Sequence, residues 1–256
     1  AEDGSLLREF TSYQTKANDG YAVDEEHPED VYVPGQRNWL TRFKTDYEKR
    51  TWTVDAVWPD VGSDARLPGL TKPRIIHLNG QTYLAGERSH NVYRLDGDRW
   101  VLSAGVVTGE KGVLFLWHDA NGNGRVDDEE LVPTTPGRVV TYHGQKWTPD
   151  LSYLAVVNGS TDVMRLSPEG FDEHGNPIFK EWKKVVTDPA FAARATGKAD
   201  ALRGGNEIGN VFDSSWVQAD ETPGGDLFVQ ARSGPGFNAN EGAQFKISRY
   251  VPKGDG

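Results

Sequence analysis

Six residues within one twelve-residue stretch carry the most specific chemical pattern in this 256-residue chain: Asp119, Asn121, Asn123, Arg125, Asp127 and Glu130. From Asp119 to Glu130 they fill the calcium-loop template D-x-[DN]-x-[DN]-G-x5-E without a gap, with Gly124 at its sixth position. The spacing follows from the ion. Calcium takes six to eight oxygens at roughly 2.3 to 2.6 Å, so the backbone must curl round it and present alternate residues. On that scheme Asp119, Asn121 and Asn123 offer side-chain oxygens and Arg125 its backbone carbonyl, its side chain pointing away. Asp127 offers a carboxylate directly or through water, and Glu130 both carboxylate oxygens. Two asparagines in place of aspartates lower the ligand charge to about −3, which weakens the site relative to a high-affinity buffer and suits a structural or extracellular Ca2+ site better than a sensor. An acidic Asn-Gly turn without a metal is the competing account of the same residues.

Other reactive groups are scattered. His27, His77, His90, His118, His143 and His174 show no HxH or HxxxH spacing and read mostly as surface or hairpin residues. His118 sits beside the loop, but imidazole is a poor calcium ligand. There is no G-x-S-x-G elbow, and no G-x-G-x-x-G follows a strand and opens a helix. Carboxylates are abundant, yet nothing in the sequence sets two of them at a glycosidase separation. The absence of cysteine excludes disulfides, thiolate zinc sites and cysteine nucleophiles. Asn158-Gly-Ser160 matches a glycosylation sequon and equally an Asn-Gly turn.

The elements that must hold the loop are strands. Gly112-Val-Leu-Phe-Leu-Trp117 before it is a short apolar run rich in strand formers, and Leu131-Val-Pro-Thr-Thr-Pro-Gly137 after it carries two prolines. No helix pair flanks the loop, so it is expected as a clip on a β-hairpin or interstrand connection. Further strands are expected at 30–34, 38–43, 51–58, 73–78, 81–85, 91–95 and 99–104, the last four closed in pairs by Asn79-Gly80 and Asp96-Gly97. Trp52, Val54, Ala56 and Trp58 alternate onto one face. A second unit is expected from 113–117 through 137–142, 152–157 and 162–166, and a last one from 215–218, 225–231 and 244–251. The endings Val92-Tyr-Arg-Leu95, Val163-Met-Arg-Leu166 and Ile247-Ser-Arg-Tyr250 form a weak internal repeat. Asp188-Pro-Ala-Phe-Ala-Ala-Arg-Ala predicts a short helical insertion near 188–203, stopped by Gly204-Gly205.

The expected fold is all-β, a β-propeller-like array of four-stranded antiparallel blades, about four of them. Residues 1–30 read as an irregular N-terminal segment and 31–256 as the propeller-like domain holding the loop 119–130. Most of Trp39, Trp52, Trp58, Trp100, Trp117, Trp147, Trp182 and Trp216 should pack between blades, with any remainder free to form a sugar-stacking platform.

A net charge of −10 argues against nucleic acid or an anionic membrane as partner, and no apolar segment approaches the roughly 18 residues needed to span a bilayer. The chain opens Ala1-Glu-Asp-Gly and holds one methionine, Met164, as expected of a mature form or an excised piece. With a moderate calcium site this favours an extracytoplasmic location, periplasmic or secreted.

Gln81-Thr-Tyr-Leu-Ala85, Asn91-Val-Tyr-Arg-Leu-Asp-Gly97, the loop opening Leu116-Trp-His-Asp-Ala-Asn-Gly-Asn-Gly124, and Arg165-Leu-Ser-Pro-Glu-Gly-Phe-Asp-Glu-His-Gly-Asn-Pro177 together support a resemblance. Over about residues 70 to 255 the chain resembles bacterial extracytoplasmic β-propellers of the NHL-repeat-like type that carry an EF-hand-like loop in one blade. The resemblance implies a binding or scaffold fold with a central channel and no particular reaction. About four blades is low for a closed propeller, so a partner chain or further sequence completing the ring is expected. The functional expectation is a calcium-stabilised module that binds a ligand, carbohydrate among the candidates, or assembles with a partner. Its alternatives are a polysaccharide lyase or glycoside hydrolase on the same scaffold, and a subunit of a larger complex.

Overall fold

The computed structural model describes residues 20–35, 39–62, 64, 66–67, 70, 73–86, 90–110, 113–135, 146–156, 162–187, 218–221, 225–233 and 244–251. Residues 1–19 of the N-terminal segment, the strand expected at 137–142, the sequon at 158–160, the start of the strand at 215–217, the helix at 188–203 and its stop at 204–205 lie outside them.

Among the described residues four antiparallel sheets succeed one another along the chain. Sheet 1 joins β1 (Ala22–Val23), β2 (Asp30–Pro34), β3 (Leu40–Asp46) and β4 (Thr51–Trp58). Sheet 2 joins β5 (Pro73–Leu78), β6 (Gln81–Gly86), β7 (Asn91–Asp96), β8 (Arg99–Thr108), β9 (Leu114–His118) and β10 (Val132–Pro133). Sheet 3 holds β11 (Lys146–Trp147), β12 (Tyr153–Val156), β13 (Asp162–Phe171) and β14 (Pro177–Thr187). Sheet 4 holds β15 (Gln218–Glu221), β16 (Leu227–Ser233) and β17 (Gln244–Tyr250). Within every sheet each strand pairs with its neighbour in sequence, a meander, and no α-helix occurs among the described residues. None of their helices is long and apolar enough to cross a membrane.

Sheets 1 to 3 stack face to face as blades. Tyr32, Leu40 and Ala22 of sheet 1 pack on Ile75, Leu84, Tyr93, Leu102 and Trp117 of sheet 2. The other face of sheet 2, through Ile76, Tyr83, Val92, Val106 and Leu116, packs on Trp147, Tyr153, Leu166, Phe179 and Trp182 of sheet 3. Sheet 2 is therefore buried on both faces, which is why successive residues such as Tyr83, Leu84 and Ala85 are all apolar. The first strands come together: β1 lies beside β5 and β11 beside β15, while Arg74 of β5 donates to the Trp147 carbonyl of β11 at 2.6 Å. This is the radial order of a propeller-like array.

The repeat seen in the sequence has a structural meaning. Arg94, Arg165 and Arg249 all lie on the third strand of their sheets, and Arg42 holds the same place on β3. Each faces a large apolar or aromatic partner on the second strand, namely Tyr32, Tyr83, Leu154 and Phe228. Three of the four arginines pair with an aspartate before or at the start of the second strand or on the fourth: Arg42 with Asp55 and Asp30, Arg165 with Asp150, Arg249 with Asp226. Sheet 2 differs. Gln81 stands two residues before Tyr83, where Asp30 and Asp226 precede Tyr32 and Phe228, and Gln81 donates to the Leu95 carbonyl instead.

Three sequence expectations change. Leu114–His118 does not open the unit expected from 113 but extends sheet 2, because β8 runs past Ala104 through Val106 and Val107 and offers a full edge for β9. The face expected to carry Trp52, Val54, Ala56 and Trp58 together is interrupted, since the β3–β4 register slips at Arg42/Phe43 and leaves Asp55 extra. Sheet 1 also starts ahead of Asp30, with the two-residue β1.

Candidate metal centre

The loop Asp119–Glu130 connects β9 to β10, whose register sets Leu116 opposite Val132 and Phe115 opposite Pro133. Pro133 is tolerated there because β10 is the sheet edge. Among the described residues the only helical element on the exit side is one 3-10 turn, Asp128–Glu130. Val126 drives the loop into the core between sheets 1 and 2, 2% exposed, and its N–H reaches the Asp64 carboxylate. Arg66 donates to Asp64 Oδ1 at 3.1 Å and to Asp128 Oδ1 at 2.5 Å, tying the turn to the chain ahead of β5.

Inside the loop the expected ligands form one cluster. Gly124, at φ +71°, turns the backbone so that its N–H donates to Asp119 Oδ2 at 3.0 Å. Glu130 returns to the loop's beginning, where Oε1 accepts the Asn121 N–H at 3.1 Å and Oε2 the Trp117 indole N–H at 2.7 Å. Asn121 Oδ1 and Asn123 Oδ1 each accept the N–H two residues on, at 3.0 and 2.8 Å. The Nδ2 groups of both asparagines donate to Asp127 Oδ2 at 2.8 Å. Arg125 is exposed.

The charges are not fully answered by protein donors. Asp119 is wholly buried, and its Oδ1 has no hydrogen-bond partner among the described residues. Burial raises the Asp119 carboxyl above the ordinary range; the Gly124 N–H opposes this and the Glu130 charge reinforces it. The amides of Asn121 and then Asn123 hold Asp127 below its ordinary range. A buried carboxylate oxygen left alone is costly, and a cation within the loop would satisfy it. The donor set, carboxylate and amide oxygens, is the hard one calcium prefers. Among the described residues no three His, Cys, Asp or Glu side chains converge in a ready-made metal cluster. The loop template needs no such cluster, since two of its ligands are asparagines and one is a backbone carbonyl.

Backbone supports hold Asp119 itself. The β7–β8 register slips between Val92 and Tyr93 and leaves Ser103 as the extra residue of a bulge. Its carbonyl accepts the Asp119 N–H at 2.9 Å. From sheet 3, Asn176 Nδ2 donates to the Asp119 carbonyl at 2.7 Å. Neither Ser103 nor Asn176 stands out in the sequence. The one available signal was Asp172, whose side chain caps the N–H groups of His174 and Asn176, the turn role expected of an Asp ahead of Gly and Asn.

The histidines divide. His118 ends β9, half-buried and opposite Ala104. His90 is buried, not on the surface, because its positive φ of 59° turns it inward against Tyr153. His77 sits in a hydrogen-bonded chain: Nε2 lies 2.8 Å from Asp24 Oδ1 and Nδ1 lies 3.1 Å from Thr82 Oγ1. Asp24 is 2% exposed and is reached from sheet 1, so sequence spacing had no access to this arrangement. Of the tryptophans, Trp58, Trp100, Trp117, Trp147 and Trp182 pack in the two cores, Trp39 and Trp52 are exposed, and Trp216 lies outside the described residues.

No protein-family model and no curated protein matches the chain. Among solved structures it is similar to a streptogramin B lyase, at 11% identity over 97% of this chain and 74% of that one, with a TM-score of 0.39. It is also similar to selenomethionine-substituted virginiamycin B lyase from Staphylococcus aureus, at 12% identity over 91% and 70% of the two chains, TM-score 0.35. A third is an auxiliary nutrient binding protein from Bacteroides thetaiotaomicron, at 10% identity over 94% and 58%, TM-score 0.36.

Proposed function

We propose that this chain is an extracytoplasmic, calcium-stabilised propeller-like module of the NHL-repeat-like kind, whose blades bind a ligand, carbohydrate among them, or a partner chain. One observation carries the calcium reading: a template-complete loop closes on Asp119, whose buried Oδ1 is satisfied by no group among the described residues. Asp119, Asn121, Asn123, Asp127 and Glu130 would hold the ion by side chains and Arg125 by its carbonyl. The ion's role is structural, because the loop is one hairpin connection with no helix pair to open. Two neutral ligands give an affinity matched to calcium-rich surroundings outside the cytosol.

Binding to the folded loop alone adds about 2.7 kcal/mol of stability at a hundredfold excess over Kd. Thermal unfolding with calcium and with a chelator, on wild type and Glu130→Gln, tests this. Wild type is expected to gain several degrees with calcium and the variant to gain none; a wild type indifferent to calcium ends the reading.

A second reading, an enzyme acting on carbohydrate, is favoured by the chain Thr82–His77–Asp24. It has the connectivity of a hydroxyl, a base and the buried carboxylate that orients the base. In a lyase His77 would take the proton, with Asp24 fixing its tautomer. A panel of acidic and neutral polysaccharides offered to wild type and His77→Ala distinguishes the two. Product from wild type alone favours the enzyme, whereas capture without product favours the binding module.

A further inference from the structure

The one arginine of the four-sheet repeat whose aspartate lies on its own strand is the one that reaches the metal loop's support. Arg94 Nε donates to Asn176 Oδ1 at 3.2 Å, while its Nη1 lies 3.3 Å from Asp96. The same Asn176 Oδ1 accepts the Ser103 hydroxyl at 2.6 Å. On the other side of the amide, Nδ2 donates to the Asp119 carbonyl at 2.7 Å and to Asp172 Oδ2 at 3.0 Å. Asn176, Ser103 and Asp119 are fully buried, and Arg94 nearly so. Both hydrogens of the amide and its oxygen are thus committed, which leaves the side chain one orientation.

The partners come from different blades. Asn176 and Asp172 belong to the turn between β13 and β14 of sheet 3, whereas Arg94, Ser103 and Asp119 belong to sheet 2. The same turn lies over the loop a second time, since a Cβ on Gly122 would come 3.1 Å from His174 Nε2. Tyr83 of sheet 2 adds a bond from its hydroxyl to the Gly175 carbonyl at 2.8 Å. Asp119, the first residue of the loop, is therefore fixed at its N–H by the Ser103 bulge and at its carbonyl by the neighbouring blade.

We infer that Asn176 is the positioning residue of the calcium loop, and that ion binding by sheet 2 and docking of the Asp172–Asn176 turn of sheet 3 are one coupled event. The inference rests on the calcium reading above. Groups outside the ligand shell that hold a ligand's orientation commonly set metal affinity. Coupling is also reciprocal: whatever the turn contributes to holding the ion, the ion contributes to holding the turn. The loop then acts as a clamp between blades as well as a local brace.

The test is calcium titration by calorimetry on the full chain, for wild type, Asn176→Ala and Ser103→Ala, with amide exchange at Gly175 and Asn176 followed with and without calcium. Asn176→Ala is expected to weaken Kd about 10- to 100-fold, and Ser103→Ala, which removes one supporting bond, about fivefold. Calcium should slow exchange at Gly175 and Asn176 in wild type and have no effect there in Asn176→Ala. A purely structural asparagine would lower Tm and leave both Kd and the calcium effect on exchange unchanged, which overturns the inference. If wild type binds no calcium, the calcium reading itself falls and takes the coupling with it. If wild type binds and both variants bind equally well, the calcium reading stands and only the coupling is lost. Should Asn176→Ala fail to fold, Ser103→Ala decides the matter alone.

Discussion

Trp117 and Glu130 are joined by a hydrogen bond from indole Nε1 to carboxylate Oε2 at 2.7 Å, which fastens the last residue of the loop to the strand that leads into it. Trp117 is buried in the core between sheets 1 and 2, so Glu130 is anchored to a rigid body rather than to the loop alone. A hydrogen bond to a charged group contributes about 1.5–3 kcal/mol. Trp117→Phe should therefore lose about 2 kcal/mol in denaturant unfolding without calcium, and somewhat more from the missing indole volume. Because the ligand carboxylate remains, calcium should still raise the Tm of this variant. A Trp117→Phe protein as blind to calcium as Glu130→Gln would show instead that the indole is required to place Glu130.

His90 makes stability depend on pH in a defined window. Burial lowers its pKa from 6.5 to about 4, so it is neutral in the fold and charges readily once unfolded. Between those values the unfolded chain binds more protons, and stability rises with pH. The contribution is complete above about pH 6.5 and is lost as pH falls toward 4, amounting to on the order of 3 kcal/mol. His90→Asn tolerates the positive φ and does not titrate. Urea melts at pH 4.5, 5.5 and 6.5 should show a steeper loss for wild type than for His90→Asn; parallel slopes would place the acid sensitivity elsewhere.

How much of this could be read beforehand depends on the period of each strand. The pairs β5–β6 and β7–β8 were legible because Asn79-Gly80 and Asp96-Gly97 mark the turns, and Asn79 and Gly80 both adopt positive φ as such a turn requires. The hairpin setting of the loop was legible from Pro133 and the strand formers before Asp119. By contrast β14 was invisible, since Phe179 and Trp182, its buried anchors, are three residues apart. The reason is a run of register shifts at Leu166/Pro168 and Pro168/Gly170 on its partner β13, which breaks the two-residue period. The same Pro168 and Gly170 hid the second half of β13, because both residues usually end a strand. For the site, local spacing identified the loop residues. Asn176, Ser103, Arg94 and the Asp24–His77 pair were beyond reach because their partners lie on other strands or other sheets.

Trp147 reports on the joint between sheets 2 and 3. It is fully buried, packs against the Tyr153 ring with centroids 4.6 Å apart and planes tilted by 36°, and donates its indole N–H to the Gly86 carbonyl of sheet 2 at 3.1 Å. Trp147→Ala should cost about 3–5 kcal/mol, the upper range for a core aromatic. Val113→Ala, at a side chain 46% exposed, should stay within about 0.5 kcal/mol of wild type. Chemical denaturation of both variants checks the contrast, and a mild Trp147→Ala would mean that the two blades can repack without it.

Gly105 and Gly170 should respond in opposite directions to the same substitution. A Cβ at Gly105 would lie 2.8 Å from the His90 carbonyl oxygen and 3.3 Å from Leu67 Cδ2, with the Asn91 Cα at 3.4 Å. Two of those atoms are backbone, so relief requires moving the connection that carries His90 inward, and Gly105→Ala is expected to cost about 1–3 kcal/mol. At Gly170 no atom lies within 4 Å of the added methyl, and the backbone is not in the left-handed region. There alanine restricts the unfolded chain without strain and should gain about 0.4–1 kcal/mol, a rise in Tm of about 1–4 °C for a protein of this size. Differential scanning fluorimetry on the two variants measures both signs at once. A destabilised Gly170→Ala would imply that the irregular stretch of β13 depends on glycine's backbone freedom rather than on its lack of a side chain.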